Sequence, residues 1–188
     1  MGRRCFEIFA GIWALCLPTL FASCGDVENE YSSHKAYLRF DNSTHLNTAL
    51  SPALTGIGNS IFCRIYMTKP GQLTFQNNQG ASEPETLSAK ETNTPIMLGI
   101  ENSSGIIVGY GYDNILFCYD ACCPNCYDNG KTRSLLNMQT SGVATCNKCN
   151  RKYDMNNRGL SPEGGRLERY SVTFNRQTSV LTVNNHYY

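Results

Sequence analysis

Cys123, Cys126, Cys146 and Cys149 form two pairs with the spacing C-x2-C-x19-C-x2-C. A gap of two residues lets one tight turn aim both thiolates of a pair at one point. The 19 intervening residues suffice for a short hairpin that returns the chain with the second pair. The spacing therefore predicts four thiolates around a tetrahedral metal ion, against the competing reading of one or two disulfides or buried thiols. A closed tetrathiolate site has no open coordination position for water or substrate, so the expected role is binding or structural and not hydrolytic. No catalytic constellation is visible, and the chain is read as not an enzyme.

The start of the chain bounds where such a site must persist. Gly2, Arg3 and Arg4 precede a mostly apolar run over residues 8–20, shorter than the roughly 20 residues a membrane span needs. This is the pattern of a signal peptide. It closes on Leu20-Phe21-Ala22-Ser23-Cys24, which resembles a bacterial lipobox. That resemblance implies removal of residues 1–23 and lipid on Cys24, with a plain secretory signal cut near Ser23 as the alternative. Acyl chains anchor through buried methylenes at about 0.8 kcal/mol each, so the implied partner is a membrane. Residues 24–35 read as an acidic flexible tether. Asp26, Glu28 and Glu30 look like the surface-export tails of Bacteroidetes lipoproteins, although any solvated tether carries such residues. The expected location is the outer membrane, on its periplasmic or cell-surface face.

Losing Arg3, Arg4 and Glu7 brings 16 basic and 15 acidic residues to fourteen of each. A neutral chain whose Arg166, Arg169 and Arg176 are scattered has no basic stripe, and no nucleic-acid partner is expected. No protein partner is named by the sequence. The remaining 165 residues suffice for one domain with a core of its own. Disulfides are the usual fate of cysteine in an exported chain. The spacing argues otherwise, because a C-x2-C disulfide constrains almost nothing.

Periodicity along residues 36–188 is that of strands. Ala36-Tyr37-Leu38-Arg39-Phe40, Ile61-Phe62-Cys63-Arg64-Ile65-Tyr66-Met67 and Gln72-Leu73-Thr74-Phe75 are short and rich in β-branched or aromatic residues. Lys69-Pro70-Gly71 turns between the last two. Residues 76–95 read as a polar excursion. Strands resume over 96–100, 106–112 and 115–119, and 166–174 with 179–183 read as a hairpin around Asn175-Arg176-Gln177. The one expected helical piece is a turn near residues 50–54. The class is all-β, a small sandwich or barrel.

A family resemblance enters in the second half. Gly105-Ile106-Ile107-Val108-Gly109, Phe117-Cys118-Tyr119-Asp120-Ala121-Cys122-Cys123-Pro124, Cys146-Asn147-Lys148-Cys149-Asn150-Arg151-Lys152-Tyr153-Asp154, Gly159-Leu160-Ser161-Pro162 and Leu167-Glu168-Arg169-Tyr170-Ser171-Val172 run in the order of a Rieske domain. The chain resembles the Rieske-like lipoproteins of Bacteroides and its relatives over about residues 96–184. The resemblance implies a Rieske-like β-sandwich, of the [2Fe-2S] iron-sulfur protein type, with a rubredoxin-like or zinc-ribbon-like metal-binding subdomain at about 120–162. Rieske loops hold their cluster by two cysteines and two histidines. Here Cys149 stands where the second-loop histidine belongs, and Cys126 arrives one residue later than the first-loop histidine would. His34, His45 and His186 lie outside both loops.

Without imidazole ligands the feature that raises a Rieske potential is gone. Four thiolates suit one zinc ion first, with rubredoxin-type iron or a [2Fe-2S] cluster in an electron-transfer protein as alternatives. A further alternative is thiol-disulfide exchange at Cys123-Pro124-Asn125-Cys126, which lacks the βαβ context of such enzymes. Cys122 is the competing neighbour of Cys123, and the Asp-x-x-Cys-Pro pattern from Asp120 favours Cys123. Cys63 and Cys118 read as core thiols, or else as a disulfide. Asp120 and Asp154 read as turn and strand-end hydrogen-bonding groups, or else as acids near the site.

Overall fold

The computed structural model describes residues 30–185, and its organisation follows from which strands are covered on one face and which on two. The elements in order are β1 (Ala36–Asp41), α1 (Asn42–His45), α2 (Ser51–Thr55), β2 (Phe62–Lys69), β3 (Gln72–Asn77), β4 (Ser82–Thr86), β5 (Met97–Leu98), β6 (Ile106–Tyr110) and β7 (Leu116–Asp120). They continue with α3 (Pro124–Asp128), β8 (Leu136–Met138), β9 (Val143–Cys146), β10 (Lys152–Asp154), β11 (Arg169–Tyr170), β12 (Val172–Asn175) and β13 (Val180–Asn185). The fold is all-β, as the periodicity predicts. Its strands form a four-stranded sheet β12-β13-β1-β5, a six-stranded sheet β11-β7-β6-β2-β3-β4 and a three-stranded sheet β10-β9-β8.

β1 alternates buried and half-buried residues along its whole length, the signature of a strand with one face on a core. Its Leu38 and Phe40 meet Leu181 and Val183 of β13, Ile65 of β2, Phe75 of β3 and Val108 of β6 in one cluster between the four- and six-stranded sheets. α2 caps that cluster with Ala53 and Leu54. β6 behaves differently, because all five of its residues are buried. Ile106 and Val108 join the first cluster, whereas Ile107 joins a second one with Phe62, Phe117 and Tyr119, against Ala144, Tyr153 and Met155. The six-stranded sheet is thus covered on both faces, by the four-stranded sheet on one and by the small three-stranded sheet on the other.

The hairpin expected around Lys69-Pro70-Gly71 is present as β2 and β3, paired from Cys63↔Asn77 to Lys69↔Gln72. Residues 76–95 differ from their reading as a polar excursion, because β4 lies inside them. Pro84 lacks a backbone donor, which restricts it to an edge strand, and β4 is the edge of its sheet. Glu83 and Glu85 on this strand hold the segment around α1. Glu83 accepts from the Thr48 backbone N–H at 2.7 Å and hydroxyl at 2.8 Å, and Glu85 accepts from Asn47 Nδ2 at 3.0 Å. The run over 166–174 is also two elements, since β11 pairs with β7 and β12 with β13. The chain changes sheets at Ser171.

Residues 30–35, expected as the end of a free tether, are held on the domain. The Ser32 N–H donates to the Arg169 carbonyl at 2.8 Å, and Asn185 Nδ2 donates to the carbonyls of Ser32 and His34. Cys24, the signal segment and His186 lie outside the described residues. No helix among the described residues is long and apolar enough to cross a membrane.

Candidate metal centre

β7 delivers the first pair. Along Phe117-Cys118-Tyr119 the side chains alternate between the two cores, with Cys118 in one and Phe117 and Tyr119 in the other. The alternation of an extended chain persists past the strand, so Ala121 and Cys123 enter the second core. Cys122 falls on the other side, beside Ser104 and Asp120. Asp120, fully buried at the strand end, fixes this run. It accepts from the Cys122 N–H at 2.7 Å, the Ile100 N–H at 2.8 Å and the Tyr170 hydroxyl at 2.7 Å. Burial raises its pKa, opposed by those donors. Gly99 packs beside this carboxylate at φ +76°, and a Cβ there would meet Asp120 Oδ2 and the Tyr170 hydroxyl.

From Cys123 the chain winds into α3, with Pro124 at the first helical position, where its fixed φ fits and no donor is lost. Residues three apart share a helix face, so Cys126 turns back beside Cys123. The Tyr127 N–H closes the turn on the Cys123 carbonyl at 3.1 Å. The second pair uses a different device. Cys146 ends β9, and Cys149 sits in the β9-β10 connection, which the Asn150 N–H closes on the Cys146 carbonyl at 2.8 Å. Asn150 has φ +57°, the left-handed conformation that glycine or asparagine adopts most readily. Glycine is therefore dispensable after Cys149, and after Cys126 it would interrupt a helix.

The four sulfurs all lie within 4.8 Å of one another. Two contacts cross between the loops, Cys123 Sγ to Cys149 Sγ and Cys126 Sγ to Cys146 Sγ, each 3.7 Å. All four cysteines are free, as are Cys63, Cys118 and Cys122. Cys123, Cys126 and Cys146 are buried and Cys149 is half-buried. Two hydroxyls reach the cluster, Ser134 Oγ at 3.2 Å from Cys146 Sγ and the Tyr153 hydroxyl at 3.5 Å from Cys123 Sγ. Lys148 Nζ donates to Thr132 Oγ1 at 2.9 Å, tying the second loop to the first.

The electrostatics of the sulfurs are uneven. Burial acts against ionisation of Cys146, but the Ser134 hydroxyl and the backbone N–H groups of Cys149 and Lys148 outweigh it and draw its pKa down to about 6. Burial, with Cys146 and Cys149 alongside, pushes Cys126 up to about 12. Four thiolates confined to one spot cannot all ionise without a cation among them, whereas a soft divalent ion makes the same donor set favourable. The residues present fit such an ion.

All four cysteines predicted as ligands come together, and Cys122 stays out. The histidines are elsewhere. His34 lies edge-on against Tyr127 at 5.2 Å between ring centroids, and His45 bridges Glu85 and Glu91. Asp154 accepts from the Asn156 N–H, so both aspartates serve the backbone. Cys63 and Cys118 flank Val108 in register on the two strands beside β6. Two strand spacings of about 4.8 Å each exceed the roughly 7 Å limit for a disulfide, and both are core thiols. Ser134 was not legible from the sequence, since a serine twelve residues before Cys146 carries no spacing signal. Compared with known proteins, the chain matches no family model, no curated protein and no solved structure.

Proposed function

We propose that the protein holds one structural zinc ion through Cys123, Cys126, Cys146 and Cys149. The observation that carries this reading is the pair of 3.7 Å cross-loop edges. A tetrahedron with Zn–S bonds of about 2.3 Å has edges of about 3.8 Å. A two-iron cluster divides its thiolates between two ions, so four sulfurs mutually within 4.8 Å favour a single ion. When bound, zinc supplies a charge that permits all four thiolates to ionise, and it ties α3 to the β9-β10 connection. The small sheet lies against the six-stranded sheet with its chain segment inserted between β7 and β11, an arrangement that supports the Rieske-like reading with its histidines replaced. The Leu20 to Cys24 sequence supports lipid anchoring of the chain at Cys24.

Cys126→Ser tests the metal reading. Metal content measured on the purified protein should fall at least tenfold in Cys126→Ser, whereas Cys122→Ser should match the wild type. Equal metal in wild type and Cys126→Ser overturns the assignment. A second reading, rubredoxin-type iron at the same four residues, is favoured by the Ser134 and Tyr153 hydroxyls, because hydrogen bonds to sulfur tune the potential of an iron centre. Visible absorption separates the two, since zinc tetrathiolate is colourless. Cys24→Ser should move the protein from the membrane to the soluble fraction, and continued membrane association would overturn the anchor.

A further inference from the structure

The four sulfurs are chemically unequal in a way that a purely structural ion does not require. Cys149 is half-buried while its three partners are buried. Among the described residues, the hydroxyl donors at the cluster go to Cys146 and Cys123. A thiolate that accepts fewer hydrogen bonds keeps more electron density for nucleophilic attack, and access decides which thiolate an oxidant reaches. Neither Cys126 nor Cys149 has a hydroxyl partner among the described residues, and of those two Cys126 is buried, so access selects Cys149. Its sulfur lies 3.7 Å from Cys123 Sγ on the opposite loop, near enough for a small movement of the β9-β10 connection to form a bond of about 2.05 Å.

We propose that Cys149 is the entry point for two-electron oxidants of the peroxide class, and that its oxidation unlocks the metal centre through a cross-loop disulfide with Cys123. This inference rests on the zinc reading above. In the first step Cys149 Sγ attacks one peroxide oxygen. The S–O bond forms, the O–O bond breaks, and the departing hydroxide takes a proton to leave as water, with Cys149 as sulfenic acid. In the second step the Cys123 thiolate attacks Cys149 Sγ. The S–S bond forms and the S–O bond breaks, releasing hydroxide that is protonated to a second water. Two thiolates, one hydrogen peroxide and two protons thereby give one disulfide and two waters. Removing two of four ligands at once releases the ion. Cys126 and Cys146, also 3.7 Å apart, remain as a buried pair that a second oxidant equivalent can close.

The test uses the zinc-loaded full chain and hydrogen peroxide, with zinc release followed by a chromogenic chelator and cysteine modification mapped by peptide mass after thiol trapping. Cys149 should be the first cysteine modified, and a Cys123–Cys149 disulfide should appear with one equivalent of released zinc. Cys149→His keeps a four-coordinate zinc donor set while removing the reactive thiol. It should bind zinc and release it at least tenfold more slowly under peroxide. First modification at Cys123, Cys126 or Cys146, a Cys146–Cys149 disulfide, or unchanged release in zinc-loaded Cys149→His would overturn this proposal alone. A wild-type chain that holds no metal at the outset overturns the metal reading and this one with it.

Discussion

His45 shows how much one residue can concentrate in this molecule. Its Nδ1 lies 3.0 Å from Glu85 and its Nε2 3.1 Å from Glu91, while its ring stacks on Phe40 at 4.7 Å. Only the imidazolium donates from both nitrogens. Burial lowers the pKa of His45, yet the two carboxylates outweigh it and leave the net shift upward from 6.5. A group that binds its proton more tightly when folded stabilises the fold fully below its unfolded pKa, and loses that contribution as pH rises through its folded pKa. The urea midpoint of the wild type should therefore exceed that of His45→Gln most below about pH 6.5. The gap should shrink on going alkaline, and a gap that is flat or widens with pH would contradict the imidazolium bridge.

At the scale of elements, the two C-x2-C pairs reach one point by unrelated local structures. The first needs a helix start, supplied by Pro124 and by the strand end that Asp120 pins. The second needs one left-handed residue, and Asn150 provides it. Asn150→Gly should leave zinc affinity close to wild type. Asn150→Ala keeps the Cβ but loses the amide whose local hydrogen bonding lets asparagine adopt this conformation, which costs other residues up to roughly 1–2 kcal/mol, so zinc binding should weaken by up to about thirtyfold in a competition titration. Equal affinities for the glycine and alanine variants would show that the turn opens on binding. α3 also receives the N-terminal segment, through His34 against Tyr127, so the end of the segment read as a tether touches the cysteine-bearing loops.

At the scale of the whole molecule, the described residues divide into a sandwich that has its own core and a third layer that carries the four-cysteine cluster. The first cluster draws on β1, β2, β3, β6 and β13 and includes none of the four ligands, whereas the second includes Cys123, Cys126 and Cys146. Structural zinc contributes about 10–16 kcal/mol in small zinc-finger peptides, enough to decide whether a layer of three short strands stays formed. Chelation should release hydrogen-exchange protection over residues 121–162 while β1, β2, β3 and β13 keep theirs. It should also uncover Phe62, Ile107, Phe117 and Tyr119, read as increased binding of an apolar dye. Uniform loss of protection would mean that the three layers fold as one unit.

The sequence by itself determined which four cysteines come together, because C-x2-C is a local geometry that any tight turn or helix start satisfies. It also determined the strands with strong periodicity, such as β1, β2 and β3, where alternation reports one buried face. Only the tertiary structure decided the rest. β4 was hidden because its Glu83 and Glu85 are held by partners around α1, far along the chain. The break at Ser171 was hidden because β11 and β12 are both extended, and only their pairing partners distinguish them. The unbroken apolar run of β6 acquires its meaning from two layers that cover it, neither of which is local. Cys122 and Cys123 are alike as residues. The strand parity fixed by β7 sends one to Asp120 and the other to the four-cysteine cluster, and the same packing leaves Cys149 as the least buried of the four cysteines.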